Sequence, residues 1–440
     1  MPVVRISDLS WGGEGISRIE GKVVFIPYGL PGEIVEVEVV RSKKNFSQGK
    51  LIRILEPSPD RVEPLCPFYQ NCGGCQLQHL AFQRQIREKE RLFKQALNHA
   101  LKAEEILVHP SLLSPSGFGY RHRLQLKTAW ENHRFKLGFF KAKSCQVVSI
   151  NRCLLANKAT NAVLEPLREK MQILGYEGWS PDIELQIFED PHKGGIVFSS
   201  PYRIAPTRQI KVIKELREIP GLSYLVFRDT NPILESGGFH LFQKKDSPEY
   251  LLPVDPAGLS KDIRLSCFPG VFTQINLELN RRLISWLVCL NLFDPQDTVL
   301  DLYCGLGNFS LPLALRVKEV IGLEVVPQAV ANARWNQEIN RISNCSFIEA
   351  QAEEAVHQLK MLDKTVSWVI LDPPRTGAQE LIPMFASGDL KGILYISCNP
   401  MTLFRDLALL ASKGWKVKWS QPLDFFPQTF HLESVTLLTK

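Results

Sequence analysis

One reactive side chain in the sequence is a cysteine at the end of an apolar run. Cys398 follows residues 393–396 and precedes Asn399 and Pro400. A thiol at a predicted strand end, next to a turn, is placed for exposure, whereas Cys289 and Cys345 fall inside predicted elements and are expected to be buried. Either Cys398 is a thiol open to reaction, or it is an idle small residue in a turn.

Carboxylates occupy the ends of two further predicted strands. Glu324 follows residues 320–323, and Asp372 follows residues 366–371 and precedes two prolines that stop the strand. The carboxyl ends of parallel strands meet at one sheet edge, where an acid can accept hydrogen bonds from ribose hydroxyls. Between the strands at 299–302 and 320–323 lies a glycine-rich turn at 304–308, which is either a nucleoside-cofactor loop or a plain strand-to-helix turn.

Three cysteines near the N-terminus have a spacing that suits a metal centre. Cys66, Cys72 and Cys75 form C-x5-C-x2-C, so they can converge but leave the centre one ligand short. We assign Cys153 as the fourth ligand, with Cys145 as the nearest alternative. Zinc is one interpretation, although four-cysteine zinc sites usually contain two paired C-x2-C units.

Length and charge indicate several domains and a polyanionic partner. A chain of 440 residues is expected to form two or three domains, and its net charge is +6. Between residues 83 and 158 there are fifteen Lys or Arg against five Glu, interleaved with aromatic residues. Such a cluster is either a solvated basic face or a surface for polyphosphate, and we favour RNA. His122, beside two arginines, is the histidine that we would test for RNA contact.

The sequence shows no sign of a membrane or secretion segment. No apolar run approaches the roughly 18 residues of a transmembrane helix, and the N-terminus has no signal-peptide core. We therefore expect a cytoplasmic protein with no membrane partner. In that reducing compartment its ten cysteines are expected to be buried, ligating or catalytic.

Periodicity divides the chain into three parts. Short β-like runs separated by glycine-rich turns predict a small β-barrel over residues 1–60. Residues 61–267 mix helix and strand, and within them the helix at 83–101 is expected to pack on the following domain. Residues 268–440 alternate strand and helix, which predicts an α/β domain with a parallel sheet.

Taken together, the motifs resemble a known enzyme family. The run Asp301 to Phe309 is similar to the first motif of S-adenosylmethionine-dependent methyltransferases, and residues 1–58 resemble the TRAM domain. With C-x5-C-x2-C, F-x-Q-x-N, L-D-P-P-R, S-C-N-P and H-L-E-S, the chain resembles the RNA (uracil-C5)-methyltransferases, in particular the iron-sulfur bacterial branch that acts on 23S rRNA. The implied fold is a Rossmann-like α/β methyltransferase domain with an N-terminal OB-like barrel and a central α+β iron-sulfur domain.

The resemblance also implies a role for each candidate residue. Cys398 would add covalently to C6 of an unstacked or flipped uridine, and Glu433 would remove the proton at C5 to give 5-methyluridine. A [4Fe-4S] cluster is implied at Cys66, Cys72, Cys75 and Cys153. A monomer that binds RNA and no DNA is expected. The residues implied for S-adenosylmethionine are Gln274, Tyr303, Asn308, Glu324, Gln351 and Asp372.

Three other functions were weighed against this one. A tRNA uridine is the nearest rival substrate, and the cysteine cluster with the β module argues against it. A radical enzyme would typically use C-x3-C-x2-C with one iron left open, unlike this spacing. A non-catalytic RNA-binding protein would need neither Cys398 nor Glu433.

Overall fold

The structure is a computed structural model that describes residues 1–102, 106–189, 193–202, 204–229, 244, 247–254, 262–385 and 390–440. Within these ranges the strands form four sheets, of six, six, two and seven strands. Five of the helices in these ranges have 13 to 20 residues and an apolar face toward a core. None of the helices in the described ranges is long and apolar enough to cross a membrane.

The N-terminal sheet is a small barrel-like unit with the order β1-β5-β6-β4-β3-β2. Alternate side chains such as Val24, Ile26, Val35 and Val37 point inward and form its core, as expected for strands with one buried face. The predicted small β-barrel over residues 1–60 therefore corresponds to this sheet, which ends at Glu56. The six strands are β1 Val3–Arg5, β2 Asp8–Leu9, β3 Gly15–Ile19, β4 Lys22–Ile26, β5 Ile34–Ser42 and β6 Phe46–Glu56.

The central part is α+β, with the sheet order β12-β11-β10-β7-β8-β9. Only the pair β11–β12 is parallel, and helix α2 lies against β8 and β10. The elements are α1 Phe82–Leu101, β7 Arg123–Glu131, β8 Arg134–Phe140, β9 Val147–Ser149, α2 Lys158–Leu174, β10 Asp182–Phe188, β11 Lys193–Ser200, α3 Pro206–Leu216 and β12 Leu222–Asp229.

The C-terminal part is a doubly wound α/β domain with the sheet order β17-β16-β15-β18-β19-β21-β20. The first five strands are parallel and β21 runs antiparallel to β19, so β21 begins at the edge where β19 ends. The elements are β13 Glu249–Leu252, β14 Ile263–Ser266, α4 Leu277–Cys289, β15 Thr298–Leu302, α5 Ser310–Ala314, β16 Glu319–Glu324, α6 Pro327–Asn340, β17 Cys345–Glu349, α7 Ala355–Met361, β18 Trp368–Leu371, β19 Gly392–Ser397, α8 Pro400–Ser412, β20 Lys416–Leu423 and β21 Glu433–Thr439.

Helix α1 belongs to the central part in sequence but packs on the α/β domain. Phe93 lies 5.3 Å from Phe404 of α8 between ring centroids. The Nζ of Lys89 donates to Asp424 Oδ1 at 2.7 Å and to the Phe426 carbonyl at 3.1 Å. Both partners of this ion pair are almost fully buried, with side chains 5% and 1% exposed. Helix α1 therefore fixes the connection between β20 and β21, residues 424–432. We call this connection the base loop because it leads into Glu433, the predicted base.

The buried ion pair predicts an unequal cost for removing two lysines. Lys89→Ala should lower the free energy of unfolding by about 3–5 kcal/mol, because the Asp424 carboxylate would stay buried without its cation. Lys364→Ala, which removes a surface pair with Glu319, should cost less than about 1 kcal/mol. Urea unfolding followed by tryptophan fluorescence measures both. Equal losses in the two variants would mean that α1 does not hold the base loop through this pair.

Candidate active site

The sheet register brings the thiol of Cys398 and the carboxylate of Glu433 to the same edge. Ser397 pairs with Ser434 across β19 and β21. Continuing that register by one residue places Cys398 opposite Glu433, and opposed residues in antiparallel strands have Cα atoms about 4.5–5.5 Å apart. Cys398 is half-buried and Glu433 is 7% exposed. A cysteine and an acid from segments 35 positions apart thus face one site.

Asn399 ties the turn that carries Cys398 to the turn after β18. Its side-chain amide donates to the Arg375 carbonyl at 3.0 Å, and its carbonyl oxygen accepts from the backbone N–H of Met401 at the start of α8. The Thr402 hydroxyl donates to the same Arg375 carbonyl at 3.1 Å. Because one residue both caps the helix and clamps the neighbouring turn, the two segments that border the site have a fixed separation.

Burial controls the protonation of the acids and the thiol at this edge. It raises the pKa of Glu433 to about 8, and the Asp372 carboxylate adds to the rise. It raises the pKa of Asp372 to about 7, with a contribution from Asp301. The pKa of Cys398 rises to about 11 through burial and through the two nearby acids. Without ligands at neutral pH, Glu433 and Cys398 are therefore mostly protonated.

Arg375 supplies a positive charge that acts on Cys398 and Glu433, and no role for it was predicted from the sequence. Its guanidinium lowers the pKa values of Cys398 and Glu433, in opposition to burial. The side chain is exposed, and among the described residues no hydrogen bond or ion pair engages its guanidinium. Arg375 is the last residue of the motif L-D-P-P-R, but only the fold shows that this arginine lies near the thiol and the acid.

The glycine-rich turn after β15 and Glu324 at the end of β16 lie at the same sheet edge as Cys398 and Glu433. The Glu324 carboxylate accepts from the N–H groups of Gly305 at 3.1 Å and of Val326 at 2.9 Å. Gly305 and Gly307 have positive φ angles of 56° and 92°, which glycine adopts without strain. Tyr303, at φ 63°, is half-buried beside this turn. The turn therefore offers close backbone approach next to an acid, the arrangement that a nucleoside needs.

Three other residues assigned to the cofactor lie around this turn in different settings. Gln274 is buried in the segment before α4, close to Asn276, which caps that helix. The Asn308 amide exchanges hydrogen bonds with Asn280 at 2.8 and 3.1 Å. Gln351 follows β17, is exposed, and begins a short 3-10 helix over residues 352–354. Asn308 and Gln351 are thus engaged by other residues of the chain, Gln351 through a capping box with Glu354, and Gln274 is buried before α4.

Four cysteines line one cavity in the central part. Cys66, Cys72, Cys75 and Cys153 surround a space of about 90 Å³, whereas Cys145 is exposed and is not among the residues that line it. The segment with the first three thiols is fixed by a hydrogen bond from the Gly73 N–H to Phe140 at 2.9 Å. The fold therefore brings the distant thiol to the other three.

The four cysteines do not form a ready-made metal site. Within the part of the chain that the structure describes, no group of three or more His, Cys, Asp or Glu side chains is arranged to hold a metal ion. The four thiols share one cavity but stand apart around it.

Two expectations for individual residues were wrong. His122 does not face RNA: it is 2% exposed, and its ring nitrogens lie 3.1 Å from the Ile275 carbonyl and from the Thr273 hydroxyl. Burial lowers the pKa of His122 to about 3, so it is neutral. Cys289 is exposed, because it lies at the last residue of α4, where the helix surface turns to solvent. His122 lies just before β7, where its ring packs 4.7 Å from the Phe188 ring between centroids.

Comparisons with known proteins agree with this arrangement. The family described as tRNA (Uracil-5-)-methyltransferase matches residues 244–440, and the TRAM domain family matches residues 3–52. The crystal structure of a Pyrococcus abyssi tRNA (uracil-54, C5)-methyltransferase, in complex with S-adenosyl-L-homocysteine, covers 100% of both chains with a TM-score of 0.74 at 24% identity. The predicted TRAM domain and Rossmann-like methyltransferase fold are confirmed.

Relatives of similar length share about a third of the sequence. A 23S rRNA (uracil(1939)-C(5))-methyltransferase RlmD of Legionella pneumophila (strain Lens) is 34% identical over 442 residues, 99% of this chain and 96% of the relative. A protein of the same name from Shewanella sp. (strain ANA-3) is 33% identical over 431 residues, 97% of this chain and 92% of the relative. The chain is thus a methyltransferase, and it belongs to the RNA (uracil-C5)-methyltransferase family.

Proposed function

We propose that this enzyme methylates C5 of a specific uridine in 23S rRNA, with S-adenosylmethionine as the methyl donor. The observation that carries the proposal is the register that sets Cys398 opposite Glu433 at the sheet edge that also holds Glu324 and Asp372. Two relatives that match nearly the full chain at 34% and 33% identity are named as 23S rRNA enzymes, whereas the tRNA enzyme of similar structure is 24% identical, which favours ribosomal RNA over tRNA.

Cys398 is the nucleophile of the proposed reaction. C5 of uracil is a weak nucleophile, so the Cys398 thiolate first adds to C6 and moves electron density to C5. S-adenosylmethionine supplies an electrophilic methyl group and a positive charge when it is bound. The raised pKa of Cys398 makes the free thiolate scarce, and the Arg375 guanidinium opposes that effect. Arg375 therefore favours the form of Cys398 that reacts.

Glu433 is the base that completes the reaction. After methylation, C5 carries both a methyl group and a hydrogen, and the thiol adduct at C6 leaves only when that proton is removed. A carboxylate whose pKa is near 8 is a stronger base than an ordinary glutamate. The proton passes to Glu433, the C5–C6 double bond forms again, and Cys398 is released as a thiolate.

The cofactor and the nucleotide are held by neighbouring parts of the same edge. We assign Glu324 to the ribose hydroxyls and Asp372 to the face near the reacting carbon, with Gln274, Tyr303, Asn308 and Gln351 around the remainder. The uridine must leave its stack to expose C5 and C6, so the substrate is a flipped or unpaired nucleotide. The TRAM domain and the basic region from 83 to 158 are proposed to bind the flanking RNA.

A [4Fe-4S] cluster is the centre that we propose for the four-cysteine cavity. Cys66, Cys72, Cys75 and Cys153 would hold it, and the open space between the thiols supports a polynuclear centre. Bound there, the cluster would supply a covalent link between the chain near residue 70 and the chain near residue 153. The reaction at Cys398 needs no electron transfer, so the proposed role is structural.

The proposed mechanism predicts different failures for the two central residues. Cys398→Ala should abolish methylation, whereas Glu433→Gln should let a covalent protein–RNA adduct accumulate because the C5 proton is not removed. Cys289→Ala, which changes an exposed thiol elsewhere, should keep normal activity. Methyl transfer to 23S rRNA and to tRNA transcripts, with denaturing gels for the adduct, measures these effects. Methylation by Cys398→Ala, or a preference for tRNA, would contradict the proposal.

The pH dependence of single-turnover methylation should follow the acid. The rate should rise between about pH 6 and pH 9, because Glu433 acts only when its carboxyl, with a pKa near 8, is ionised. The Arg375 guanidinium lowers the pKa values of both Cys398 and Glu433. Arg375→Gln should therefore raise both pKa values and move the profile to higher pH. Arg316→Gln, at the opposite edge of the sheet, is the control and should leave the profile in place. A flat profile would argue against Glu433 as the base.

The cluster proposal predicts that Cys153 is needed to hold the metal centre and that Cys145 is not. Cys153→Ser should reduce the iron and acid-labile sulfide of anaerobically purified protein, because it removes one of four ligands. Cys145→Ser should retain both, since that thiol is exposed and is not among the residues that line the cavity. Metal analysis and visible absorption make the measurement. Zinc in place of iron, or iron loss in Cys145→Ser, would overturn the ligand assignment.

A further inference from the structure

The cavity with the four cysteines contains positive charge without a matching carboxylate. Arg121 and Arg152 line it, and no Asp or Glu is among the described residues that do. Arg152 is exposed to solvent, whereas Arg121 is partly buried between the central part and the α/β domain. Water screens the charge of Arg152, but a guanidinium in the interior needs a partner.

The contacts of Arg121 are aromatic and neutral. Its Nε donates to the Tyr120 hydroxyl at 3.4 Å, and its guanidinium carbon lies 5.7 Å from the Tyr120 ring and 5.8 Å from the Phe426 ring. Within the described residues, no hydrogen bond or ion pair joins it to a carboxylate. These contacts hold the side chain in place but leave its positive charge without an anion.

We propose that Arg121 is the charge partner of the anionic metal centre in this cavity and couples its presence to the position of the base loop. Four thiolates carry more negative charge than a metal core neutralises, so the loaded cavity is anionic, and Arg121 is the interior cation beside it. This inference rests on the proposed function of the four cysteines. It concerns a positioning residue, since Arg121 reaches the reaction only through other groups.

Arg121 touches the base loop on its other side. The Tyr120 hydroxyl, which accepts from Arg121, donates to the Pro427 carbonyl at 3.1 Å. Phe426, beside the guanidinium, also lies 5.7 Å from the His431 ring, two residues before Glu433. An anion in the cavity fixes Arg121, and Arg121 in turn fixes Tyr120 and Phe426. Loss of the anion would release these contacts and loosen the loop that leads into Glu433.

A second connection joins the cysteine segment to the base loop without Arg121. The backbone N–H groups of Gln76 and Leu77, which follow Cys75, both donate to the Gln428 carbonyl at 3.1 and 3.0 Å. Because this connection is a backbone one, it persists when Arg121 is replaced. An effect of Arg121 on the base loop is therefore separable from collapse of the cysteine segment.

The test compares charge-neutral and charge-conserving variants of the anaerobically purified protein. Arg121→Gln should lose visible absorption in air several-fold faster than wild type and should have a lower reduction potential, because a nearby cation stabilises the more negative reduced centre. Arg121→Lys should keep much of both properties. Arg134→Gln, which removes an exposed charge from β8, is the matched control and should behave as wild type.

Hydrogen exchange of residues 424–432 tests the coupling. In wild type, removal of the metal centre with a chelator should speed exchange in the base loop, whereas in Arg121→Gln exchange should already be fast in the loaded protein. Tyr120→Phe, which removes the hydroxyl that bonds Pro427, should share part of this effect. Unchanged exchange in all of these states, or a reduction potential equal to that of Arg134→Gln, would overturn the inference.

Iron and sulfide analysis of the wild-type protein distinguishes failure of this inference from failure of the proposed cluster on which it rests. If wild type contains no metal, the proposed cluster fails, and the role of Arg121 fails with it. If wild type contains iron and sulfide but Arg121→Gln matches the control in absorption, potential and exchange, only the role of Arg121 fails.

Discussion

The arrangement proposed for the active edge depends on how firmly the base loop is held, because a buried carboxylate can act as a base only if its position is fixed. Lys89 of α1 forms a buried ion pair with Asp424 at one end of the loop. In its middle, the Gln428 N–H donates to Gln85 Oε1 at 3.0 Å, and Gln85 Nε2 donates back to Gln428 Oε1 at 2.9 Å. The loop is thus fixed by a helix that lies more than 300 residues away in sequence.

These clamps explain why three parts of the chain surround one reaction. Helix α1 follows the cysteine segment and packs on α8, so α1 shares a core with the α/β domain. The TRAM domain is joined to the same helix by an ion pair between Asp8 and Arg91. The three parts therefore meet at α1, which also holds the base loop through Lys89.

Electrostatics at the active edge is a balance between desolvation and a single exposed cation. Burial raises the pKa values of Asp372, Cys398 and Glu433, and Arg375 acts against it at the last two. A site that holds its acids and its thiol protonated when empty avoids the cost of several buried negative charges. Such a site is suited to a cationic ligand, since a positive charge among these groups favours their ionised forms.

The cysteine cavity extends the same reasoning to the central part. Its two lining arginines face a space bounded by four thiols, so the arrangement is electrostatically complete only when the space holds an anion. Arg121 stands between that space and the base loop, with Tyr120 and Phe426 as its neighbours. Tyr120 and Phe426 thereby connect the cavity to the base loop, although the two belong to different parts of the fold.

The sequence alone determined the family and most of the elements. Strong apolar periodicity predicted a helix at 83–101, observed at 82–101, and the parallel strands to within two residues at most ends, because such patterns are local. The spacing of Cys66, Cys72 and Cys75, and the prolines after Asp372, are likewise local signals, as were the TRAM and methyltransferase motifs.

Only the tertiary structure decided which side chains meet. Strand pairing set Cys398 opposite Glu433, brought Arg375 beside them and turned His122 into the core, because each depends on register between segments distant in sequence. The same holds for the buried pair of Lys89 with Asp424 and for Arg121 beside the thiols. Long-range packing and burial control these contacts and pKa values, and neither is encoded in the spacing of neighbouring residues.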